Sequence, residues 1–430
     1  MNIKSLINGR DEESRPFIVI FTNTFPYGTG ETFFETELPY LLSIKRPLLI
    51  VPLYREGNAR KIDSSSEASI TISPPLLDFN PKKKSKLFFY GLLNTAPLFF
   101  AFYHFFAQQI WRSRKRIWRF GTSFLLIRAL LAKTRFFFKH PIIQNERTIL
   151  YFYWGDKSVL LLPFVTLKAK TVVRFHGSDL YEEAYGFHPL RQQVLPLIDL
   201  ACPVSQHGAD YLKHHYDALC PPISVARLGT VDHGLSPEPN ADKPFHIVSC
   251  ANIIPLKRID LIMDALLLLF RNDRFLCPVC WTHIGKGTLL HPFEKILQDS
   301  ECTQKLTIRF CGPMLHKEVM AFYTKTPVDL FISTSRSEGV PVSIMEALSF
   351  GIPVMATAVG GVPELVSNDV GCLLPASPTP EEVAQRLVNF MEQAPSERNV
   401  KRKAARTAWE TGWNADVNFR EWANLLSICV

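Results

Sequence analysis

The sequence lacks several features that would identify a secreted or fibrous protein. Its nine cysteines all lie beyond residue 200, and an odd number without framework spacing argues against a disulfide scaffold and favours a reducing compartment. The first residues contain no apolar stretch like that of a signal peptide, so we expect no secretion. The 21 glycines and 31 prolines of the 430-residue chain follow no period, which excludes a collagen-like fibre.

Motifs that bind metal ions are also scarce. Cys277 and Cys280 form the only CxxC pair, and no second pair or suitably spaced histidines accompany it. The pair lies in the apolar run Phe275–Trp281, which is typical of a buried strand and favours core thiols over a zinc site. No DxD-like pair of carboxylates stands at the end of a predicted strand. We therefore expect neither a metal ion nor another cofactor.

Acidic residues are absent from one long segment. Residues 81–140 contain no Asp or Glu but hold 13 of the 48 Lys and Arg residues, so they supply the excess behind the formal charge of +8. Within this basic aromatic segment, defined as residues 82–140, Leu87–Ile110 carries no formal charge and is long enough to span a bilayer. Pro97 would kink a helix near the middle of this stretch. Trp111–Arg119 then mixes indole rings with cations.

Three interpretations of the basic aromatic segment remain open. Aromatic and cationic side chains beside apolar surface are typical of a helix that lies in the headgroup region of an anionic membrane. The same residues suit helices of the N-terminal domain with solvated basic faces, and the uncharged stretch also permits a transmembrane helix. Nucleic acid is not an expected partner, because no nucleic-acid-binding motif accompanies the charge.

Apolar runs of strand length alternate with helix-length segments from about residue 17 onwards. The predicted strands are Phe17–Phe21, Pro47–Val51, Thr148–Tyr153, Thr171–Phe175 and Asp199–Val204, and then Phe245–Cys250, Cys277–Ile284, Leu306–Phe310, Val328–Ile332 and Pro353–Thr357. The predicted helices of the second set are Ile259–Phe270, Leu289–Gln298 and Val342–Phe350. Continuous apolar strands joined by helices indicate parallel sheets covered on both faces. The linker His233–Pro244 separates two doubly wound α/β domains, whose strand ends would form a cleft.

The stretch Ser335–Glu364 contains the residues of an anion and sugar site. A buried strand ends in a polar turn and the loop around Glu338, and a helix then begins whose first backbone N–H groups can bind an anion. Glu346 lies on the wall of that helix, so both carboxylates can accept hydrogen bonds from sugar or ribose hydroxyls. Gly360 and Gly361 offer a second nest of backbone N–H groups for a phosphate.

This stretch resembles the donor-nucleotide motif of glycosyltransferase family 4. Four further stretches are similar to motifs of the same family: Asn23–Phe33, Arg174–Tyr181, Cys250–Arg258 and His283–Gly287. The match covers most of the chain outside residues 55–145. The family is retaining and metal-independent and has the GT-B fold, so the resemblance implies two Rossmann-like domains that face each other across a cleft.

The resemblance also implies a role for each residue that matches a motif. His176 is expected to line the anomeric centre, Glu338 to position the donor sugar and Lys257 to pair with the donor diphosphate, and these three are the expected catalytic residues. The residues expected to bind the donor are Glu346 at the ribose, Gly339, Val340, Arg258, Gly285, Gly28, Gly30, Gly360 and Gly361. Glu31 and Asp179 are expected on the acceptor side.

One position departs from the family pattern. Asn252 stands where the family often carries an Arg ahead of the phosphate-binding Lys, and an amide does not replace a bidentate guanidinium. Lys257 is therefore favoured over Arg258 as the phosphate contact.

The domain organisation follows from the same resemblance. The expected units are an N-terminal acceptor-side domain over residues 1–232 with the basic aromatic insertion at 82–140, and a donor-nucleotide domain over 245–405. Residues 406–430 form an amphipathic helix, marked by Trp409, Trp413, Phe419 and Trp422, that is expected to cross back to the first domain.

These features predict an enzyme that moves a sugar from a nucleotide-sugar donor onto a saccharide acceptor in polysaccharide or lipopolysaccharide synthesis. The leaving phosphate gains negative charge in an oxocarbenium-like transition state, which Lys257 and helix N-termini would stabilise without a metal. The acceptor is expected to be lipid-linked, and the enzyme to work in the cytoplasm at the inner face of a membrane. Two alternatives remain: a sugar-nucleotide epimerase of the same fold, and an inactive membrane-associated subunit.

Overall fold

The computed structural model describes residues 16–62, 69–83, 85–88, 98–134, 136–289 and 305–428. The chain forms two compact units. Unit 1 consists of Met1–Arg227 and Phe419–Val430, and unit 2 consists of Leu228–Asn418. The change of unit after Arg227 lies just before the linker that the sequence predicts at residues 233–244.

Unit 1 is built on a six-stranded parallel sheet. Its strands are β1 Ile18–Thr22, β2 Leu48–Pro52, β3 Ile70–Ile72, β4 Ile149–Phe152, β5 Lys170–Phe175 and β6 Leu200–Pro203, in the order β3-β2-β1-β4-β5-β6. Its helices are α1 Thr32–Leu42, α2 Leu98–Ala107, α3 Arg114–Thr134, α4 Glu182–Tyr185, α5 Arg191–Val194 and α6 Gln206–Tyr216. The order reverses between β1 and β4, as in a doubly wound sheet.

Unit 2 repeats this strand order. Its strands are β7 Phe245–Cys250, β8 Val279–Ile284, β9 Leu306–Phe310, β10 Leu330–Ser333, β11 Val354–Thr357 and β12 Gly371–Leu374, in the parallel order β12-β11-β10-β7-β8-β9. Its helices are α7 Ile259–Arg271, α8 His316–Lys325, α9 Val342–Ser349, α10 Val362–Leu365, α11 Pro380–Met391 and α12 Pro395–Gly412. The last helix of the described chain is α13 Ala415–Ile428. The predicted α/β class with two doubly wound units is confirmed.

Burial on both faces explains why these strands read as continuous apolar runs. In β1, Val19 and Phe21 belong to one hydrophobic cluster of unit 1, whereas Ile18 and Ile20 belong to another. Alternate residues of a strand point to opposite faces, so the two clusters cover the two sides of the sheet.

The last helix, α13, is anchored in unit 1 by a buried polar network. The Trp422 indole N–H donates to Glu37 Oε1 at 2.7 Å, and the Tyr151 hydroxyl donates to the same oxygen at 3.0 Å. The guanidinium of Arg174 pairs with the second Glu37 oxygen, and neither side chain of this pair is exposed. A buried ion pair needs such additional donors, because the desolvation of both charges is costly.

Several sequence predictions differ from the structure or lie outside the residues that it describes. The single helix predicted over residues 406–430 is wrong, because the chain there forms the end of α12 and then α13, and only Phe419–Val430 belongs to unit 1. Strands β3 and β12 were not predicted, because each is only three or four residues long and is not a continuous buried apolar run. The predicted helix Leu289–Gln298 lies outside the described residues except for Leu289, which is in a turn. Part of the uncharged stretch Leu87–Ile110 also lies outside them, and no helix among the residues described has the length and apolar content needed to cross a membrane.

Candidate functional site

An ion pair marks the point where the strand order of unit 2 reverses. Lys257 follows β7 and Glu338 follows β10, so both lie beyond the carboxyl ends of the two adjacent central strands. Lys257 Nζ is 2.5 Å from Glu338 Oε1, and the two side chains are 22% and 10% exposed. The crevice outside such strand ends is where ligands of open α/β sheets bind. The two residues that sequence reasoning placed at the donor phosphate and sugar are therefore brought together.

Arg258, next to Lys257, holds the two loops in place. Its Nε donates to the carbonyl of Thr334 at 2.6 Å, and its Nη2 donates to the carbonyls of Ser335 and Ala376 at 3.1 and 2.9 Å. Burial lowers the pKa of this guanidinium, and the nearby Arg336 adds to the effect. Arg258 thus connects the loop after β7 to the loop after β10, and this leaves Lys257 as the cation beside Glu338.

A second loop lies directly against the Glu338 loop. The Gly361 N–H donates to the Gly339 carbonyl at 2.8 Å, and Val340 is buried. Gly360 has a φ of +53°, and a Cβ at this position would lie 1.8 Å from the Glu338 carbonyl oxygen. Only glycine allows this approach, so the predicted glycine pair fixes the backbone of Glu338.

Glu346 lies on α9 and is paired with a histidine that sequence reasoning did not single out. Its Oε1 is 2.9 Å from Nε2 of His316, the first residue of α8, and the Glu346 side chain is only 8% exposed. His316 comes 30 residues earlier in the chain, so no local motif connects the two.

Gly285, which follows β8, donates its N–H to the Gly312 carbonyl at 2.9 Å.

The glycine loop after β1 is organised by the buried carboxylate of Glu31. Its oxygens accept the backbone N–H groups of Asn23, Thr24 and Phe25 at 2.9, 2.7 and 2.6 Å, and the indole N–H of Trp154 at 2.6 Å. An acceptor hydroxyl would have to compete with these bonds. The contact of Glu31 with the acceptor stays a prediction.

The same loop packs against residues that the family resemblance does not cover. Gly28 has a φ of +73°, and a Cβ there would lie 2.3 Å from the Glu56 carbonyl oxygen, so glycine is required. Arg60 Nε donates to the Gly28 carbonyl at 2.6 Å, and its Nη2 donates to the carbonyl of Gly30. Arg60 thereby fixes both predicted glycines, and only the three-dimensional structure shows its role.

His176 and Asp179 form a compact arrangement after β5. The His176 ring donates from Nε2 to the Tyr153 carbonyl at 3.0 Å, because a carbonyl can only accept, and Nδ1 then carries the lone pair. The Asp179 carboxylate accepts hydrogen bonds from two backbone N–H groups, that of His176 on Oδ1 and that of Gly155 on Oδ2, both at 2.6 Å. The His176 ring centroid is 4.5 Å from that of Trp154, which also bonds Glu31.

Burial shifts both titratable groups of this arrangement. Desolvation, with a smaller contribution from Arg174, lowers the pKa of His176 to about 3, so its imidazole is neutral near pH 7. Desolvation and the nearby Asp156 raise the pKa of Asp179 to about 8, against the opposing effects of Arg191 and the two backbone N–H groups. A neutral imidazole at this position can accept a hydrogen bond from a hydroxyl and so orient it, but the ring carries no charge.

The predicted site residues therefore fall into separate groups in the two units. Unit 2 brings Lys257, Glu338, Gly339, Val340, Gly360 and Gly361 together, with Glu346 on the helix that follows. Unit 1 joins the loop of Gly28, Gly30 and Glu31 to that of His176 and Asp179 through Trp154. In the part of the chain that the structure describes, no group of three or more His, Cys, Asp or Glu side chains is arranged to hold a metal ion.

Comparison with known proteins shows which family part of this chain resembles and which fold it shares. Residues 235–407 match the family model described as glycosyl transferases group 1. A protein of Escherichia coli strain K12 named as a colanic acid biosynthesis glycosyltransferase is 28% identical over 283 residues, which cover 63% of this chain and 68% of that protein. An amylovoran biosynthesis glycosyltransferase of Erwinia amylovora is 25% identical over 331 residues, which cover 72% and 76%.

A solved structure from Anabaena, the protein HepE in complex with UDP and glucose, shows the same fold. It is similar to this chain with a TM-score of 0.62 at 16% identity, over 96% of this chain and 99% of that chain.

Proposed function

We propose that the chain is a glycosyltransferase, as the match of residues 235–407 to the group 1 glycosyl transferases supports. It would move a sugar from a nucleotide-sugar donor to a lipid-linked saccharide acceptor with retention of anomeric configuration. The observation that carries this proposal is the Lys257–Glu338 ion pair beyond the central strands of the family-matching unit. The names of the two bacterial relatives, which refer to colanic acid and amylovoran biosynthesis, support a role in polysaccharide or lipopolysaccharide synthesis. The UDP and glucose bound to the Anabaena protein support a nucleotide-linked sugar as the donor class.

Charge explains how the ion pair would act on the donor. The diphosphate of the donor competes with the Glu338 carboxylate for the Lys257 ammonium, and Glu338 then accepts hydrogen bonds from sugar hydroxyls. As the bond between C1 and the diphosphate breaks, negative charge on the leaving oxygen grows beside Lys257 and is stabilised there. Glu346 accepts hydrogen bonds from the ribose. No metal is required in this proposal, since Lys257 and backbone N–H groups supply the positive charge.

Retention follows if the acceptor hydroxyl attacks from the face on which the diphosphate leaves. The leaving phosphate oxygen takes the acceptor proton, the new bond forms at C1 and the nucleoside diphosphate departs. His176, held neutral by burial, lines the anomeric centre without placing a second positive charge beside the oxocarbenium-like carbon.

The surface of the basic aromatic segment supports attachment to a membrane. Phe102, Tyr103, Phe106, Trp111, Trp118 and Phe136 are each more than half exposed. Arg112, Arg114, Lys115 and Arg116 are exposed among them. Exposed aromatic side chains interleaved with cations match an anionic leaflet, because the rings enter the interface and the cations meet lipid phosphates. We propose that the enzyme docks through this surface on the inner face of a membrane.

A donor panel with and without membrane extract tests the function. Purified protein is incubated with nucleotide sugars that differ in base and sugar, and nucleoside diphosphate release is followed. We expect release from a subset of donors that rises when the extract supplies an acceptor, and that persists in excess EDTA. Epimerised donor without diphosphate release would indicate the epimerase, and no turnover of any donor would indicate an inactive subunit. Loss of activity in EDTA that magnesium or manganese restores would contradict the metal-free mechanism.

A further inference from the structure

Unit 1 contains a pocket of about 460 Å³ that none of the predicted donor residues lines. It lies between α3, the residues that follow β4 and the segment that leads from β5 into α5. Strand β4 is paired with β1, and the strand order of unit 1 reverses between them. Ligands of open α/β sheets bind outside the strand ends at such a point. The pocket therefore has both the position and the volume of a small-molecule site.

Lys157 is the cation of the pocket wall that follows β4. Its φ is +41°, which is uncommon for a residue other than glycine. Its Nζ lies 3.2 Å from Oδ1 of Asn23, in the loop after β1, and 3.3 Å from Oδ2 of Asp156. The Lys157 side chain is still 33% exposed. Side chains of two loops thus hold this ammonium where the strand order reverses, and it stays accessible to a ligand.

Positive charge predominates in the lining of the pocket. The charged lining residues are the cations Lys82, Arg119, Lys157 and Arg191 and one carboxylate, Asp156. That carboxylate is already the partner of Lys157. An anion that enters the pocket can compete for Lys157, because a phosphate is a strong acceptor for an ammonium group.

Arg119 and Arg191 make the interior of the pocket electropositive without being free to move towards a ligand. Arg119 Nη1 donates to the Phe187 carbonyl at 3.2 Å and Arg191 Nη2 donates to the Asp179 carbonyl, and a carbonyl carries no net charge. Burial lowers the pKa of the lining residue His188 to about 3, and both cations contribute in the same direction. Walls of low polarity concentrate such a field, so the pocket favours an anion.

The rest of the wall is mainly apolar and continues onto the exposed aromatic surface. The apolar lining side chains include Leu87, Trp118, Leu126, Val159, Leu160 and Phe187. Trp118 is 53% exposed and also belongs to the surface that we propose to meet the membrane. Burial of an apolar chain along this wall is favourable. An anion that carries an apolar chain therefore matches both parts of the lining.

We propose that this pocket binds an amphipathic phosphate, with the phosphate at Lys157 and the apolar chain along Trp118 and Leu126. The inference rests on the proposed function in one respect: the phosphate is the one that joins lipid to saccharide in the lipid-linked acceptor. Ser178, which directly precedes Asp179, also lines the pocket. The saccharide beyond the phosphate then lies beside the loop of His176 and Asp179, and the chain reaches the exposed aromatic surface.

Binding of n-octyl phosphate below its critical micelle concentration tests the site on the full chain by calorimetry. We expect saturable binding at one site. Inorganic phosphate lacks the chain and n-octyl glucoside lacks the charge, so each should bind about tenfold more weakly or worse.

Two pairs of variants locate the bound octyl phosphate. Thr122→Trp fills the pocket from α3 and should weaken binding about tenfold or more. Its matched control is Ala132→Trp, at an exposed position on the same helix outside the pocket lining. Lys82→Gln removes an exposed cation of the lining and should weaken binding about threefold or more. Its matched control is the exposed Lys83→Gln, which removes the same charge outside the lining, and both controls should leave binding nearly unchanged.

Octyl phosphate binding that is unsaturable, or equally tight in Thr122→Trp, overturns the site. Octyl glucoside binding as tight as that of octyl phosphate overturns the anionic head group, and equally tight binding of inorganic phosphate overturns the apolar chain. Equal affinities of Lys82→Gln and Lys83→Gln overturn the contribution of the cationic lining.

The acceptor role is tested separately with the acceptor in membrane extract. Thr122→Trp should raise the acceptor KM about tenfold or more relative to Ala132→Trp and leave the donor KM unchanged. Equal acceptor KM values in the two variants overturn that role. Octyl phosphate binding as expected, without diphosphate release from any donor, would leave the pocket established and refute the proposed function instead.

Discussion

Lys257 and Glu338 are the residues on which the proposed chemistry depends most directly. Each is largely buried and each is the other's charged partner, so a change at either affects both the site and its electrostatics. Their loops are held by carbonyl bonds to Arg258 and by the contact of Gly360 with Glu338. Substitution of one side chain should therefore alter charge without moving the loops.

Glu338→Gln should abolish most of the transfer while keeping the fold. The amide has nearly the same volume but cannot accept as strongly from sugar hydroxyls, so we expect turnover at saturating donor to fall at least 100-fold. Lys257 is 22% exposed and can be solvated, so the cost in stability should be about 1 kcal/mol or less. Diphosphate release and thermal unfolding measure the two effects. The exposed Glu392→Gln is the matched control, and near wild-type turnover of Glu338→Gln would remove Glu338 from the site.

The buried His176 predicts an acid-dependent loss of stability. Its pKa in the folded protein is about 3, below its ordinary value, so the unfolded chain binds one more proton than the folded chain between about pH 6.5 and 3. Stability should therefore fall as the pH drops through this window and be independent of this group above it. In His176→Asn, whose amide can still donate to the Tyr153 carbonyl, the slope should be smaller by up to about 1.4 kcal/mol per pH unit.

Urea unfolding at pH 4.5 to 7 measures this slope. The exposed His214→Asn is the control and should retain the wild-type slope. His188 and His283, whose pKa values burial lowers to about 3 and 4, contribute in the same direction in all three proteins. An identical slope in His176→Asn and wild type would show that His176 is not buried in neutral form.

Among the elements, α13 has the clearest structural role. Trp422 packs in the cluster of unit 1 that contains Ile18 and Ile20, and its indole N–H donates to Glu37. Burial raises the pKa of Glu37, whereas Arg174, Tyr151 and Trp422 favour its ionised form. The helix thus supplies both apolar volume and one of the donors that keep a buried carboxylate satisfied.

Trp422→Ala should destabilise unit 1 strongly. The cavity and the lost hydrogen bond to Glu37 together predict a loss of about 3–5 kcal/mol in the free energy of unfolding. Glu421→Ala, an exposed position in the same helix, should change it by about 0.5 kcal/mol or less. Deletion of residues 406–430 should be at least as severe as Trp422→Ala. Urea midpoints close to wild type for Trp422→Ala would contradict this role of the helix.

The surface around α3 gives a prediction for membrane attachment. Replacing Arg112, Arg114, Lys115 and Arg116 by Ser should release the protein from anionic vesicles, because each cation near an anionic surface contributes about 1 kcal/mol. Apolar contacts of the exposed aromatic side chains are insensitive to salt, so high salt should release wild type only partly. Vesicle sedimentation measures both effects.

A matched variant distinguishes the contribution of this surface to vesicle binding from that of the protein's net charge. The replacement by Ser of Lys213, Lys243, Lys317 and Lys325, all exposed elsewhere, removes the same charge and should leave vesicle binding close to wild type. Donor binding should be unchanged in both variants. Equal binding of wild type to neutral and anionic vesicles would contradict the electrostatic contribution, and binding to neither would favour an ordinary basic surface of the N-terminal domain.

For the molecule as a whole, the sequence predicts the architecture because parallel strands buried on both faces are continuous apolar runs. Ten such runs coincide with strands of the structure to within a few residues. β3 was missed because Ile70–Ile72 is short and partly exposed, and β12 because it begins with Gly371 and is only half buried. Periodicity cannot identify strands whose burial depends on neighbours elsewhere in the chain.

The candidate site was predicted as far as local motifs extend. Lys257, Glu338 and the glycine pair lie in loops that short sequence motifs of neighbouring residues identify. Arg60, Trp154 and His316 were missed, since each meets its partner across a long separation in sequence.

The anomeric configuration of the product tests the central claim most directly. Wild-type protein is incubated with a nucleotide-sugar donor that it turns over and with an acceptor from membrane extract, in the presence of EDTA, and the coupling constant of the new anomeric proton is measured by NMR. The account predicts a product with the same anomeric configuration as the donor. A product of opposite configuration would contradict retaining transfer by same-face attack at the Lys257–Glu338 site.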